Sequence, residues 1–246
     1  MKDVVAAAGW GLLAGAALLV GAAVAWFLPV PKKVVALVMA FGAGVLVSAL
    51  AFELVAEAAD SAGLPEVVVG FAAGALLYTG ANLALAKVGA RHRKRSGGQQ
   101  SEGSGTALAV GALLDGIPES AVIGVSLLGG TGVSIATVVA IFLSNLPEGL
   151  SSAAGMRVAG HSARYVFGLW AGIAVASGVA AGVGLLAGDA LGTSGVAVVT
   201  AFAAGAILAM LSDTMLPEAV EGAPEATGLL SAAGFLAAFA LHRAAG

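Results

Sequence analysis

Eight apolar stretches, most of them about 20 residues long or more, take up most of this 246-residue chain. They run over 4–28, 34–56, 66–88, 106–128, 133–155, 164–187, 194–217 and 226–242. A helix of about 20 apolar residues crosses roughly 30 Å of hydrocarbon, so each stretch is read as one transmembrane helix. The chain is therefore expected to be an all-α integral membrane protein, a single polytopic domain over 1–246. Composition agrees, with 59% hydrophobic and 10% charged residues and a mean hydropathy of +1.01. These values lie far from those of soluble domains. The first stretch follows Lys2 and holds an Ala23-Val24-Ala25 resembling a cleavage site, but it is too long for a secretory signal core. Cysteine is absent, which excludes disulfides, thiolate metal sites and cysteine nucleophiles.

Positive charge sets the expected orientation, because Lys and Arg collect on the inward side. With the N-terminus outside, nine basic residues (Lys32, Lys33, Lys87, Arg91, Arg93, Lys94, Arg95, Arg157 and Arg164) fall inward, against Lys2 and Arg243 outward. An even number of crossings puts both termini outside. The segment 89–105 is then a cytoplasmic loop, with Arg91-His92-Arg93-Lys94-Arg95 serving as a topology anchor. The 37 glycines suit helices that pack backbone to backbone in lipid.

Within this apolar background two stretches stand out, Asp115-Gly116-Ile117-Pro118-Glu119-Ser120 and Ser144-Asn145-Leu146-Pro147-Glu148-Gly149. Their x-Pro-Glu cores are 29 positions apart. Each lies near the middle of its span, so Asp115, Glu119, Asn145 and Glu148 are expected within about one helical turn of mid-membrane. Spacings of four and three residues put each pair on one helix face. Pro118 and Pro147 remove the amide donors owed to the carbonyls of Leu114 and Leu143, bending the helices and freeing oxygens. Acids inside a membrane mark functional sites by default, and carboxylate, amide and carbonyl oxygens together suit a hard divalent cation. Asp213 in span 7 and Glu53 in span 2 also lie inside apolar runs and are candidate ligands along the path. Glu57, Asp60 and Glu66 are placed at the outer mouth, whereas His92, His161 and His242 fall at span ends or in loops.

Internal similarity points to an inverted repeat. Phe41-Gly42-Ala43-Gly44 on span 2 recurs 161 positions on as Phe202-Ala203-Ala204-Gly205 on span 7, and Glu57 aligns with Glu218. Spans 2 and 7, like spans 4 and 5, run in opposite directions. Such repeats are typical of transporters, whose substrate sites lie between them near the midplane.

On these features the chain resembles the ZIP (Zrt-, Irt-like) metal transporters over essentially its full length. The shared features are eight spans, outward termini, a cytoplasmic 3–4 loop, x-Pro-Glu motifs on spans 4 and 5, the small-residue run on span 2, and Pro217-Glu218 on span 7. The resemblance implies a 3+2+3 inverted-repeat bundle in the plasma (inner) membrane. It further implies relative movement of spans 1, 4, 5 and 6 against spans 2, 3, 7 and 8, and a homodimer. Transmembrane transport of a divalent cation (Zn2+, Fe2+, Mn2+ or Cd2+) is the implied activity, with lipid as the other partner. Neither catalysis, an organic cofactor nor a nucleic acid is expected.

The departures from the family bear on selectivity. Asp115 stands where the family has His, Gly116 where it has Asn, Ser120 where it has Gly, and Ser144 where it has His or Gln. Span 6 has no acid between 163 and 187. The expected metal ligands are thus Glu119, Asn145 and Glu148, with Asp115 as a substitute and Ser144 as a weak one. They form a single all-oxygen site that favours manganese, iron or magnesium over zinc. Two other readings stand beside transport: a degenerate family member holding metal as a sensor or structural partner, and an intramembrane aspartyl hydrolase built on Asp115 and Asp213.

Overall fold

A computed structural model describes residues 2–87, 96–97, 105–129 and 134–245. Among them there is no strand. The helices are α1 (Lys2–Phe27), α2 (Lys32–Ala49), α3 (Ala56–Ala62), α4 (Leu64–Lys87), α5 (Gly105–Ser126), α6 (Ile135–Val158), α7 (Ala163–Met210), α8 (Leu216–Gly222) and α9 (Thr227–Ala245). The described chain is all-helical, with seven continuous helical stretches long and apolar enough to cross a bilayer. It is a multi-pass membrane protein. The expected basic cluster, including His92, lies outside the described residues.

Two of the expected spans run past their apolar limits. α2 continues through a π-helical turn, Leu50–Val55, into α3 and so reaches Ala62 instead of residue 56. In the same way α7 continues through a π-helical turn, Leu211–Met215, into α8 and so reaches Gly222. A π-helical turn is an inserted bulge in an α-helix and is frequent at functional sites. Each of these carries an acid, Glu53 in the first and Asp213 in the second.

α7 is too long for one crossing. Its 48 residues would extend about 72 Å as a straight rod, more than twice the hydrocarbon thickness. The rod is broken at Gly192, where φ is 67° and ψ is −178°, a left-handed conformation that glycine adopts without steric cost. A Cβ placed on Gly188 would lie 3.4 Å from a methyl of Val196, whereas eight residues of straight helix span about 12 Å. The chain therefore folds back on itself at Gly192.

Glycine also sets the closest helix approaches. A Cβ on Gly21 would lie 2.1 Å from the carbonyl oxygen of Leu146, and one on Gly149 would lie 2.2 Å from that of Leu18. α1 and α6 thus clasp each other reciprocally. The same arrangement joins α5 to α7 through Gly124 and Gly184, α2 to α9 through Gly44 and Gly234, and α4 to α7 through Gly74 and Gly205. In all four clasps the contacted carbonyl belongs to the residue three before the partner's own glycine: Leu18 and Leu146, Ala181 and Ala121, Phe41 and Ser231, Phe71 and Phe202. Only a hydrogen fits there, which brings Cα–H against carbonyl oxygen, the close packing that lipid-embedded helices favour.

Gly42, in the small-residue run of α2, has a different role. A Cβ there would lie 2.7 Å from the ring of Pro147, so this glycine makes room for the proline of α6. Arg157, in the last turn of α6, donates to the carbonyls of Ala25 (3.2 Å) and Trp26 (2.6 Å). It thereby closes off the C-terminal end of α1.

Candidate functional site

Asp115 from α5, and Asn145 and Glu148 from α6, line one small cavity of about 10 Å³. That is about the space needed for one water-sized occupant. Its walls are completed by Leu18 of α1, Gly116 of α5, Ser152 and Met156 of α6, and Trp170 of α7. All three polar side chains are buried, at 3%, 5% and 4% exposure. α5 contains no Lys, Arg or His, and in α6 the only basic residue is Arg157, engaged at the end of α1. Two acids share this pocket with no basic side chain in either helix interior.

Hydrogen bonds fix how these groups are held. Asn145 Nδ2 donates to the carbonyl of Ala14 at 3.0 Å, which ties α6 to α1 and sets the orientation of the amide. Asp115 Oδ1 accepts from the hydroxyl of Tyr78 on α4 at 2.7 Å. Trp170 is buried at 3% exposure, and its indole N–H has no hydrogen-bond partner among the described residues. The cavity wall therefore offers a donor as well as acceptors.

The remaining expected ligands are distributed more widely. Glu119 is buried at 1% exposure, one turn beyond Asp115. Ser144 is fully buried, and its hydroxyl donates to the carbonyl of Ile141 at 2.9 Å. Ser120, likewise, donates to the carbonyl of Gly116 at 2.7 Å. Both hydroxyls are spent within their own helices, where serine commonly returns a bond to the preceding turn. Asp213 lies on an exposed face and accepts from Asn82 at 2.9 Å, away from the cavity. Among the described residues no three His, Cys, Asp or Glu side chains converge closely enough to hold a metal by themselves. The set that does come together is two carboxylates and an amide.

Glu53 belongs to a second cluster. Its carboxylate accepts from Ser134 Oγ at 2.9 Å and Thr137 Oγ1 at 3.2 Å, and contacts Nδ1 of His242. Ser134 is also the N-cap of α6, accepting from the backbone N–H of Thr137 at 3.1 Å. Glu53 lines a separate cavity of about 310 Å³ together with Glu57, Thr137, Asp189, Thr193 and Thr200. That cavity lies at the Gly192 fold-back. A third buried acid, Glu218 (6% exposed) of α8, accepts from the backbone N–H of Ser96 at 2.9 Å, from the Ser96 hydroxyl, and from Ser151 Oγ at 3.3 Å.

Reading the sequence alone misses Tyr78, Trp170 and Asp189. Tyr78 carried a signal: it sits one residue from the midpoint of its span, the depth of both motifs, and a phenol buried there needs a partner. Trp170 and Asp189 carried none, because their relevance depends on which helices meet. No family model matches the chain, and no curated protein matches it.

Proposed function

We propose that this protein carries a divalent metal cation across the membrane by alternating access, as a divergent member of the ZIP transporters. The observation that carries this reading is the small cavity in which Asp115, Asn145 and Glu148 meet from two proline-containing helices. Two carboxylates and an amide in a small buried pocket offer a cation oxygen ligands inside the membrane. The volume suits one largely dehydrated ion, and oxygen donors suit manganese or iron better than zinc.

Several further features support the architecture this reading requires. Splitting α7 at Gly192 gives eight crossings, with both termini outside by the distribution of basic residues. The two π-helical turns begin at Leu50 and Leu211, 161 positions apart, the offset at which Phe41-Gly42-Ala43-Gly44 recurs. The glycine clasps form equivalent pairs, α1 on α6 with α5 on the first half of α7, and α2 on α9 with α4 on the second half. Each clasp joins spans of one proposed moving group, either 1, 4, 5 and 6 or 2, 3, 7 and 8. Among the described residues none of these four clasps joins the two groups.

In this scheme a cation enters from the larger cavity, where Glu53, Glu57 and Asp189 give it a negative approach. It exchanges hydration water for oxygens of Asp115, Asn145 and Glu148, with Glu119 one turn away. Movement of one helix group against the other then opens the opposite side. Pro147 against Gly42 is a side-chain contact between the groups that such movement has to pass.

Uptake of Mn2+, Fe2+, Zn2+, Cd2+ and Mg2+ into proteoliposomes tests the proposal, with Glu148→Ala as the control. Manganese or iron ahead of zinc is expected, with uptake abolished in the variant. Uptake unchanged in Glu148→Ala would sink the site. A protein that binds cations but moves none of them would point to the sensor or structural role.

A further inference from the structure

We propose that Tyr78 is the positioning residue of the cation site, holding Asp115 in a fixed orientation at the cavity wall. The proposal rests on the transport reading for its cargo, but cation binding alone tests it. Tyr78 is 2% exposed, and its hydroxyl donates to Asp115 Oδ1 at 2.7 Å. α4 otherwise packs through Val67, Gly70 and Gly74, its other buried residues, with the two glycines seated against Val198 and Phe202 of α7. The phenol therefore reaches out of its own helix group to the carboxylate of the other.

An aspartate carboxylate turns about two side-chain torsions, and a bond from a neighbouring helix removes that freedom. A 2.7 Å hydroxyl-to-carboxylate bond is of the short, charge-assisted kind, and in the buried interior it is not exchanged with water. Groups that orient a ligand in this way are worth about 10–100-fold in metal affinity. Asn145 is restrained in parallel by the carbonyl of Ala14, so Asp115 and Asn145 are both pinned from outside the α5–α6 pair. Pinning from α4 has a consequence that pinning from α1 does not, because it makes the state of the site depend on how the two groups sit against each other.

Mn2+ binding to the full-length protein in detergent, read from loss of the free-ion paramagnetic resonance signal, tests the proposal across Y78F, D115N, E148Q and the Y78F/D115N double variant. Y78F is expected to weaken binding by about 10–100-fold. In the D115N background the same change should add less than about twofold, since coupled partners depart from additivity. Tyr78→His, which keeps a ring and a donor, should retain most of the affinity and decides the matter if Y78F does not purify as a single species. In proteoliposomes Y78F should raise KM for Mn2+ while leaving the maximal rate nearly unchanged. Wild-type affinity in Y78F, or losses that multiply in the double variant, would overturn the role of Tyr78 alone. Wild-type affinity in both D115N and E148Q would remove the site itself, and the Tyr78 proposal with it.

Discussion

Two regions of the bundle bury acids, and they do so in opposite ways. Around Glu53, the Ser134 and Thr137 hydroxyls and the His242 ring, from two other helices, surround the carboxylate. At the motif helices Asp115 and Glu148 instead face a common cavity, acid beside acid, with no basic residue in the helix interiors. The first arrangement is self-sufficient: protein groups satisfy the charge. The second brings two carboxylates and an amide from two helices into one small space. The comparison shows that depth alone does not identify a cargo site, because both acids lie inside apolar helices. What separates them is what each carboxylate shares its space with: hydroxyls and an imidazole at Glu53, a second carboxylate and an amide at the motif helices.

The sharpest way to break this comparison is to remove one acid from each region. Glu148→Ala should lower Mn2+ uptake by more than about 100-fold, above the effect of losing an outer-shell partner. Glu53→Gln should leave uptake within about tenfold while lowering the thermal midpoint, consistent with roughly 1.5–3 kcal/mol for hydrogen bonds to a charged group. Equal losses of uptake in both variants would erase the distinction. Selectivity sharpens it further: Asp115→His adds an imidazole nitrogen and should move preference from manganese towards zinc, measured as the ratio of initial uptake rates. A smaller effect is expected at the clasps. Gly149→Ala places a methyl 2.2 Å from the Leu18 carbonyl and should cost about 1–3 kcal/mol of stability through overpacking. Gly80→Ala meets nothing within 4 Å and should be neutral or stabilising by up to about 1 kcal/mol.

Much of the architecture was legible because the bilayer imposes one length on every crossing. The apolar runs locate α1, α2, α4, α5, α6 and α9 to within a few residues. α5 and α6 carry the motifs near their middles. The π-helical turns were not legible, since an inserted residue leaves no mark in the sequence. The continuation of α2 past residue 56 was hidden for a different reason: Glu57 and Asp60 end the apolar run, but alanine and glutamate sustain helix. At the site, the residues of the two motifs could be paired by helical spacing. Partners from other helices could not be named, because the Tyr78 bond depends on α4 lying beside α5, and no local pattern encodes that. Asp213, an acid inside an apolar run, was expected to line the path; it lies on an exposed face and accepts from Asn82.

The fold-back at Gly192 leaves a mechanical signature of its own. The two halves of α7 meet at one residue with no intervening loop, so the tether between them has no slack. Sliding one half along the other would require unwinding a turn of helix. A swing about the tether requires only rotation. Over a lever of about 30 Å, a 20° swing displaces the far ends by roughly 10 Å while the residues beside Gly192 scarcely move. A spin label pair spanning the Gly192 end should therefore keep its separation through a transport cycle, and a pair at the opposite end should register the stroke.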